Sequence, residues 1–331
     1  MKKSLIALLV ATLPAAAFAD VTIYGKIKGG VEYVDNGTTK QTNVDDLGSR
    51  IGFKGSEDLG NGLKTIWQVE TGFGIDGTSD SDSNKGTFAN RESFIGLQGS
   101  FGTIRLGNIS NFQDSDMGIV DAWEYKDAAL GLKEFTRDAD RLKNSIRYDL
   151  PAIVPGLTAA LQYGAKEDKT AGTPKDREVY GLGLGYENSG FFGKYAYTYE
   201  AAQQIAGVVT SSNDKHRLEV GYNANNLLVA FGYNQVDAKL ANTVGSEKIK
   251  TKDYALTAAY TLGAFTPKFT YGQGETKGLG VTTGKYDQYI LGVDYAASKR
   301  TTIGAQYGHI NLKDDNTKDR NAFGLNMVHK F

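Results

Sequence analysis

The stretch VYGLGLGYENSGFFGKYAYTYE, residues 179–200, alternates between bulky side chains and glycine over its first half. Leu182 and Leu184 share one parity, and Gly181 and Gly183 share the other. Because successive side chains of a β-strand point to opposite faces, this pattern predicts a strand with one apolar face. The NSG tripeptide predicts a tight turn into a second strand. A helix is disfavoured, since each interior glycine costs about 1 kcal/mol relative to alanine.

The same alternation recurs along the chain in about sixteen runs, each near the 9 to 11 residues that cross a bilayer at a barrel tilt. Short turns such as ENSG, NANN and ASKR alternate with long polar segments at residues 34–48, 75–86, 201–214 and 238–250. Many of the 19 tyrosines end an apolar face, where a ring suits the headgroup region. The sequence therefore predicts an all-β fold, a sixteen-stranded antiparallel transmembrane β-barrel.

The composition of the two strand faces indicates which solvent each one meets. One parity is a mixture of Leu, Val and Tyr, which suits fluid lipid, and the other is rich in Gly, Thr and charge. A barrel of about sixteen strands is too wide for its own side chains to fill, so a water-filled lumen is expected. After the N-terminal region no run of about 18 apolar residues occurs, which excludes a transmembrane helix.

Residues 1–19, MKKSLIALLVATLPAAAFA, combine two lysines, a short apolar stretch and a small-residue pattern at the end. These three parts predict a secretory signal peptide that is cleaved before Asp20. The barrel would then be residues 20–331. The chain contains no Cys, which excludes a disulfide framework, a thiolate metal site and a lipid-modified N-terminal cysteine.

Residues 111–143 form the longest stretch without strand alternation, and the stretch is rich in Asp and Glu. A loop of this length inside a compact unit is functional or disordered, and its apolar residues argue against disorder. These apolar residues are Ile119, Trp123, Leu130, Leu132 and Phe135. We expect the segment to fold inward and to constrict the pore. The best candidates for its pore-facing acids are Asp116, Asp121 and Glu124.

Basic residues are plentiful on the parity expected to face the lumen: Lys26, Lys28, Arg50, Lys54, Lys64, Arg105 and Arg147. An acidic loop opposite a basic wall would create a transverse field, which sets ion preference in a narrow pore. The alternative is that these are solvated charges without a collective role. The formal net charge of −1 leaves the sign of any selectivity to the placement of charges.

Four ordered motifs and the last residue resemble the general trimeric porins of Gram-negative outer membranes, most closely the neisserial and other betaproteobacterial ones. The motifs are VTIYGKIKGGVEY, GSRIGFKGSEDLGNGLKTIWQVE, NRESFIGLQGSFGTIRLGN and SIRYDLP, with Phe331 at the end. The resemblance implies a sixteen-stranded homotrimeric barrel in outer-membrane lipid, with loop 3 folded into each pore. It also implies passive diffusion of inorganic ions and small hydrophilic solutes.

By that resemblance Lys26, Arg50, Arg91 and Arg141 match the basic constriction cluster of the family. Phe331 matches the signal read by the outer-membrane assembly machinery. Strict alternation places Arg91 on the lipid parity, so a lumen position requires a bulge or a place above the hydrocarbon. Loop 3 lacks the Pro-Glu-Phe-Gly-Gly stretch of enterobacterial relatives, so its acids cannot be matched one by one.

Other sites receive weaker support from the sequence. GLGLGYENSG lies within a strand and opens no helix, unlike a dinucleotide site. DSDSNKG, residues 80–86, departs from a calcium loop in the place of its glycine and in having Arg91 at the twelfth position. His216, His309 and His329 have no metal-pair spacing and no nearby Ser or Asp cluster. No metal, cofactor, nucleic-acid partner or enzymatic activity is expected.

Two further functions are compatible with a barrel. An adhesin would use its outer loops to bind host or phage partners, but these loops are modest, polar and free of repeats. A substrate-specific channel would show an aromatic track on the lumen parity, which instead carries Gly, Thr, Lys and Glu. The sequence favours a passive porin with weak selectivity, for anions if the basic wall outweighs loop 3.

Overall fold

The computed structural model describes residues 21–77, 87–166, 177–205, 208–240, 248–278, 281–313 and 319–331. The predicted signal peptide (1–19), Asp20 and the calcium-like stretch (80–86) lie outside the described residues. Within the described ranges, no helix is long and apolar enough to cross a membrane.

Sixteen antiparallel strands, counted over the described residues, follow one another around a single sheet. The first eight are β1 (Thr22–Asp35), β2 (Lys40–Asp46 and Ser49–Gly60), β3 (Leu63–Phe73), β4 (Ser93–Gly99), β5 (Gly102–Ser110), β6 (Arg141–Asp149), β7 (Leu157–Gly164) and β8 (Val179–Asn188). The other eight are β9 (Phe191–Glu200), β10 (Ser212–Ala224), β11 (Leu227–Lys239), β12 (Lys248–Tyr260), β13 (Phe265–Gly278), β14 (Val281–Ala296), β15 (Thr301–Leu312) and β16 (Arg320–Lys330). A two-stranded ribbon, Gln204–Ile205 with Val208–Val209, lies between β9 and β10.

The barrel closes where β16 pairs with β1, from Lys26 opposite Lys330 to Asp35 opposite Asn321. The predicted all-β, sixteen-stranded antiparallel barrel is therefore confirmed. Beyond the last strand, the amide of Gly25 donates to the carbonyl of Phe331 and the amide of Phe331 donates to that of Gly25, both at 3.1 Å. The Phe331 ring lies over Gly25, where a Cβ would come within 2.5 Å of it. The terminal residue thus completes the seam.

β2 is interrupted at Leu47 and Gly48, but both of its halves pair with β1. The interruption is stabilised by the Asp46 carboxylate, which accepts hydrogen bonds from the amides of Gly48 (3.0 Å) and Ser49 (3.1 Å). The long polar loop predicted over 34–48 is wrong, because most of it is strand and the turn covers only residues 36–39. The polar composition of KQTNVDD concealed a strand that extends beyond the apolar band.

Two-residue turns connect several of the strands at one end of the barrel. Ser189 and Gly190 have φ of 51° and 87°, and Asn225 and Asn226 have φ of 53° and 65°. Positive φ at both central residues gives a turn whose twist matches that of the flanking strands. The turns predicted at ENSG and NANN are therefore confirmed.

The two faces of the wall differ as the alternation predicts. On β11, Leu227 and Phe231 are exposed on the outer face, whereas Ala230 and Asn234 are fully buried on the inner one. Aromatic pairs join neighbouring strands near both ends of this outer surface: Phe191–Tyr222 and Phe265–Tyr295 near the short turns, and Tyr163–Tyr180, Tyr233–Tyr254 and Tyr271–Tyr289 near the other end. Two such girdles flank the apolar band of an outer-membrane barrel.

Candidate functional site

Residues 111–140, hereafter loop 3, connect β5 to β6. Their ends are tied together by Asn111, whose side-chain oxygen accepts from the amides of Asp114 (3.0 Å) and Asp140 (3.2 Å). Its amide group also donates to the carbonyl of Asp138 at 2.8 Å. A short helix, α1 (Phe112–Ser115), follows this cap. Because β6 already begins at Arg141, the predicted boundary at residue 143 moves to residue 140.

Apolar side chains of loop 3 pack against the inner face of the wall. Trp123, Leu132 and Phe135 are buried in one cluster with Ala230, Ala255 and Ile290, and Leu130 is buried in a second cluster. Ile119, the fifth predicted apolar anchor, is partly buried against the first cluster. Loop 3 therefore covers the inner surface of β11, β12 and β14.

Glycines of the wall provide the space for these rings. The Phe112 ring lies against Gly181 and Gly183, and a Cβ on Gly232 would come within 2.5 Å of the Phe135 ring. The expectation that the glycine face meets only lumen water is wrong for these positions, because loop 3 covers them. A wall without side chains at these points lets an aromatic ring approach the backbone closely.

Two inward side chains of β10 bind the loop backbone. The Glu219 carboxylate accepts hydrogen bonds from the successive amides of Gly118 (2.9 Å), Ile119 (2.9 Å) and Val120 (3.4 Å). Arg217 donates to carbonyls near both ends of the loop, those of Gln113 (3.0 Å) and Phe135 (2.8 Å). Both side chains are fully buried. They hold loop 3 as charged hydrogen-bonding partners of its backbone.

Two adjoining cavities remain between loop 3 and the rest of the wall. One, of about 560 Å³, is bordered by β2, β3, β6 and β9, and the other, of about 550 Å³, runs along loop 3. Arg91, Asp140 and Arg141 line both cavities, so the two cavities meet at these residues.

The Glu70 carboxylate contacts two members of the predicted basic cluster, Arg50 and Arg91. Its carboxylate is 2.7 Å from Arg91 Nε and 3.5 Å from Arg50 Nε, and it accepts from the Tyr24 hydroxyl at 3.2 Å. Arg91 precedes the start of β4 at Ser93, so the parity conflict noted in the sequence does not arise. Its amide also donates to the Glu70 carbonyl at 3.1 Å. The structure thus places Arg50 and Arg91 together.

The other predicted basic residues fall into three groups. Lys26 pairs in register with Arg50, and Arg141 lines both cavities. Arg105 and Arg147 share Asp149, at 2.7 and 2.8 Å respectively, so they are held in wall ion pairs. Lys64 is exposed near the short turn at Asn61–Gly62 and lines neither cavity.

The three predicted acids of loop 3 have different environments. Asp116 lies 2.8 Å from Arg147, whose guanidinium also stacks 4.4 Å from the Phe112 ring centroid. Glu124 forms an ion pair with the buried ammonium of Lys28. Burial would raise the pKa of Glu124, but Lys28 holds it below its usual value. Asp121 lines the cavity along loop 3.

Asp121 is the loop acid whose ionisation is most perturbed. Burial raises its pKa to about 6, although the Trp123 amide and the charge of Lys126 partly oppose the shift. Asp140, at the junction of the cavities, also has its pKa raised by burial. Both acids therefore ionise less readily than a solvated carboxylate.

The Gram-negative porin family matches residues 4–315 of the chain. The chain belongs to that family. Curated relatives include the major outer membrane protein P.IB of Neisseria sicca, 39% identical with 100% of each chain covered. Another is that of Neisseria meningitidis serogroup B strain MC58, 41% identical with the same coverage. This porin therefore resides in the Gram-negative outer membrane and forms a water-filled channel for passive diffusion.

Solved structures share the fold. An anion-selective porin from Comamonas acidovorans has a TM-score of 0.81 and 22% identity, over 95% of this chain and 100% of that one. The trimer form of OmpT from Vibrio cholerae has a TM-score of 0.74 and 14% identity, over 95% of this chain and 99% of that one.

Several charged residues of the porin interior were not among the predicted site residues. The basic ones that line the cavities are Lys126, Lys133, Arg137, Lys143, Arg177 and Arg217, and the acidic ones are Asp46, Asp114, Asp140 and Glu200. Strand parity could have identified Arg217 and Glu219, because Leu218 and Val220 face outward. No such signal exists for Lys126 and Lys133, since loop 3 has no regular period. Within the described ranges, no group of three or more His, Cys, Asp or Glu could hold a metal ion.

Proposed function

We propose that this porin passes inorganic ions and small hydrophilic solutes with a weak preference for anions. One observation carries the proposal: basic side chains outnumber acidic ones around the cavity that runs along loop 3. The basic residues are Arg91, Lys126, Lys133, Arg137, Arg141 and Arg217, and the acidic ones are Asp114, Asp121 and Asp140. An excess of positive charge around a narrow passage with protein walls attracts anions and repels cations.

Loop 3 provides the constriction in this proposal. It occupies the inner face of one side of the barrel, and the remaining passage runs by Arg91, Asp140 and Arg141. Lys26 and Arg50 add positive charge on the adjoining wall, whereas Asp116 and Glu124 are engaged with Arg147 and Lys28. The basic residues around the passage, on the wall and on loop 3, therefore set the sign of selectivity, and Asp121 moderates it.

The proposed assembly is a homotrimer embedded in outer-membrane lipid, without enzymatic activity. The trimer form of OmpT, which shares the fold, supports this state. Phe331, whose ring and backbone complete the seam at Gly25, would be read by the outer-membrane assembly machinery before the seam closes.

The reversal potential of the purified porin in a planar bilayer under a KCl gradient tests the proposal. We expect conductance steps in groups of three and a reversal potential of anion sign. A reversal potential of cation sign would contradict the anion preference, and independent single steps would contradict the trimer.

The anion preference is expected to increase as the pH falls from about 7.5 to about 5. Asp121, whose pKa is raised to about 6, carries its negative charge above that pH and loses it below. The passage therefore becomes more positive on acidification. The measurement is the reversal potential across this pH range. Asp121→Asn should show at pH 7.5 the stronger anion preference that the native porin reaches only in acid. Equal pH profiles for the two proteins would exclude Asp121 as the titrating group.

A further inference from the structure

Four of the eight carboxylates of loop 3 have partners that hold the loop in place. They are engaged as follows: Asp116 with Arg147 (2.8 Å), Glu124 with Lys28, Asp127 with the amides of Ala129 (2.6 Å) and Leu130 (2.7 Å), and Asp138 with Lys215 (3.5 Å). Each negative charge is thereby offset by a partner on the wall or in the loop backbone. These acids contribute little free negative charge to the passage.

Lys126 differs from these acids in having an exposed side chain that forms no ion pair with any described residue. It lines the cavity along loop 3 together with Arg91 and Arg141. It therefore adds a positive charge from the loop side to a cavity whose wall side is already basic.

The backbone beside Lys126 is held by hydrogen bonds to the wall, so the position of the lysine in the cavity is fixed. The neighbouring Tyr125 is buried, and its hydroxyl lies 3.0 Å from the carbonyl oxygen of Val31 and 2.9 Å from that of Leu325. Two residues earlier, the Trp123 indole donates to the Thr270 hydroxyl at 2.9 Å. Loop 3 is thus fixed to the wall next to Lys126, while the lysine itself is exposed and lines the cavity along loop 3.

The electrostatic surroundings of Lys126 agree with this position. Burial within the barrel lowers the pKa of its ammonium, and repulsion from Arg91, Lys28 and Arg141 lowers it further. The charge of Asp114 partly opposes this shift, and Asp121 also interacts electrostatically with Lys126. This agrees with the placement of Lys126 in the same cavity as Arg91 and Arg141.

We propose that Lys126 is a specificity-determining residue of the channel, which makes the passage basic on the loop side as well as on the wall side. A permeating anion would then meet positive charge from both sides, and a cation would be repelled from both. The inference rests on the proposed anion preference and assigns part of it to a residue of loop 3.

The absence of cysteine in the chain allows a direct test with Lys126→Cys, which can be modified after the barrel has folded. We expect the unmodified variant to show a chloride-to-potassium permeability ratio about threefold lower at low salt. A thiol reagent that carries an ammonium group should restore the ratio, and one that carries a sulfonate should lower it below that of the unmodified variant. Lys64→Cys, an exposed lumen-parity lysine that lines neither cavity, is the matched control and should respond weakly to both reagents.

Salt concentration distinguishes a charge effect from a displaced loop. The difference between variant and native porin should shrink in 1 M KCl, where the screening length falls to about 3 Å. A structural effect would persist at every salt concentration and would overturn the proposal. An unchanged ratio after modification of Lys126→Cys, in a porin whose native form prefers anions, would also overturn it. A native porin without anion preference would instead contradict the proposed function itself.

Discussion

Porin in which Glu219 is replaced by alanine is expected to form an intact barrel with an unstable open channel. The carboxylate accepts three successive amides of loop 3, from Gly118, Ile119 and Val120, at a fully buried position. Each buried donor left without a partner costs about 1–3 kcal/mol, so the attachment of the loop weakens by several kcal/mol. The wall strands keep their hydrogen bonds. We expect rapid current fluctuations and an altered mean conductance in single-channel records, together with a lower unfolding temperature.

A matched control exists on β8, where Glu187 forms an ion pair of 2.9 Å with Lys194 and is largely exposed. Glu187→Ala should change neither noise nor conductance, since exposed ion pairs contribute about 0–1 kcal/mol. Glu219→Gln keeps one acceptor oxygen and should fall between the native porin and Glu219→Ala. Quiet native-like currents from a folded Glu219→Ala barrel would show that Glu219 does not hold the loop.

The strands could be predicted from the sequence because the alternation of side chains that marks a strand is visible in its own residues. Leu227 and Phe231 on one parity and Ala230 and Gly232 on the other are sufficient to identify a strand and its two faces. The two-residue turns follow from local backbone requirements, as at Asn225 and Asn226. The segment Lys40–Asp46 escaped prediction because its outer face is not apolar where the strand extends beyond lipid.

The placement of loop 3 could be predicted only in outline. Its apolar residues indicated that it packs on something, but their partners lie about a hundred residues or more away in sequence, as for Gly118 and Glu219. No period links a loop residue to such a partner. The wall glycines are related to the position of the loop, since Gly232 has no side chain and the Phe135 ring occupies the space beside it. A glycine alone does not reveal whether water or a ring occupies that space.

Contacts between the charged residues of the site could not be predicted from the sequence either. The sequence shows Asp116 and Arg147 as an acid on the loop and a base on the wall, but only the structure shows them in contact. A pair in contact anchors the loop and largely cancels its own field. Under the proposed anion preference, residues such as Lys126, which forms no ion pair with any described residue, would set the sign of the potential that a permeating ion meets.

Removal of two charges at the junction of the cavities, with Arg91→Gln and Arg141→Gln together, is expected to abolish the weak anion preference. In a water-like dielectric a unit charge about 7 Å from an ion contributes about 0.6 kcal/mol, with opposite signs for chloride and potassium. Loss of both charges therefore changes the chloride-to-potassium bias by about 2.4 kcal/mol, so it should lower the permeability ratio by at most about fiftyfold at low salt, and less in high salt. The measurement is the reversal potential under a KCl gradient.

The matched control removes the same two charges far from the passage, with Lys64→Gln and Arg300→Gln. Both residues are exposed near short turns and line neither cavity, so the reversal potential should stay close to that of the native porin. A similar loss in both double variants would mean that total charge, and not its placement at Arg91 and Arg141, controls selectivity. Arg91 also forms an ion pair with Glu70 at 2.7 Å, so its replacement could alter the structure as well as the charge. The single variant Arg141→Gln leaves this ion pair intact. It should still show about half of the change in the logarithm of the permeability ratio.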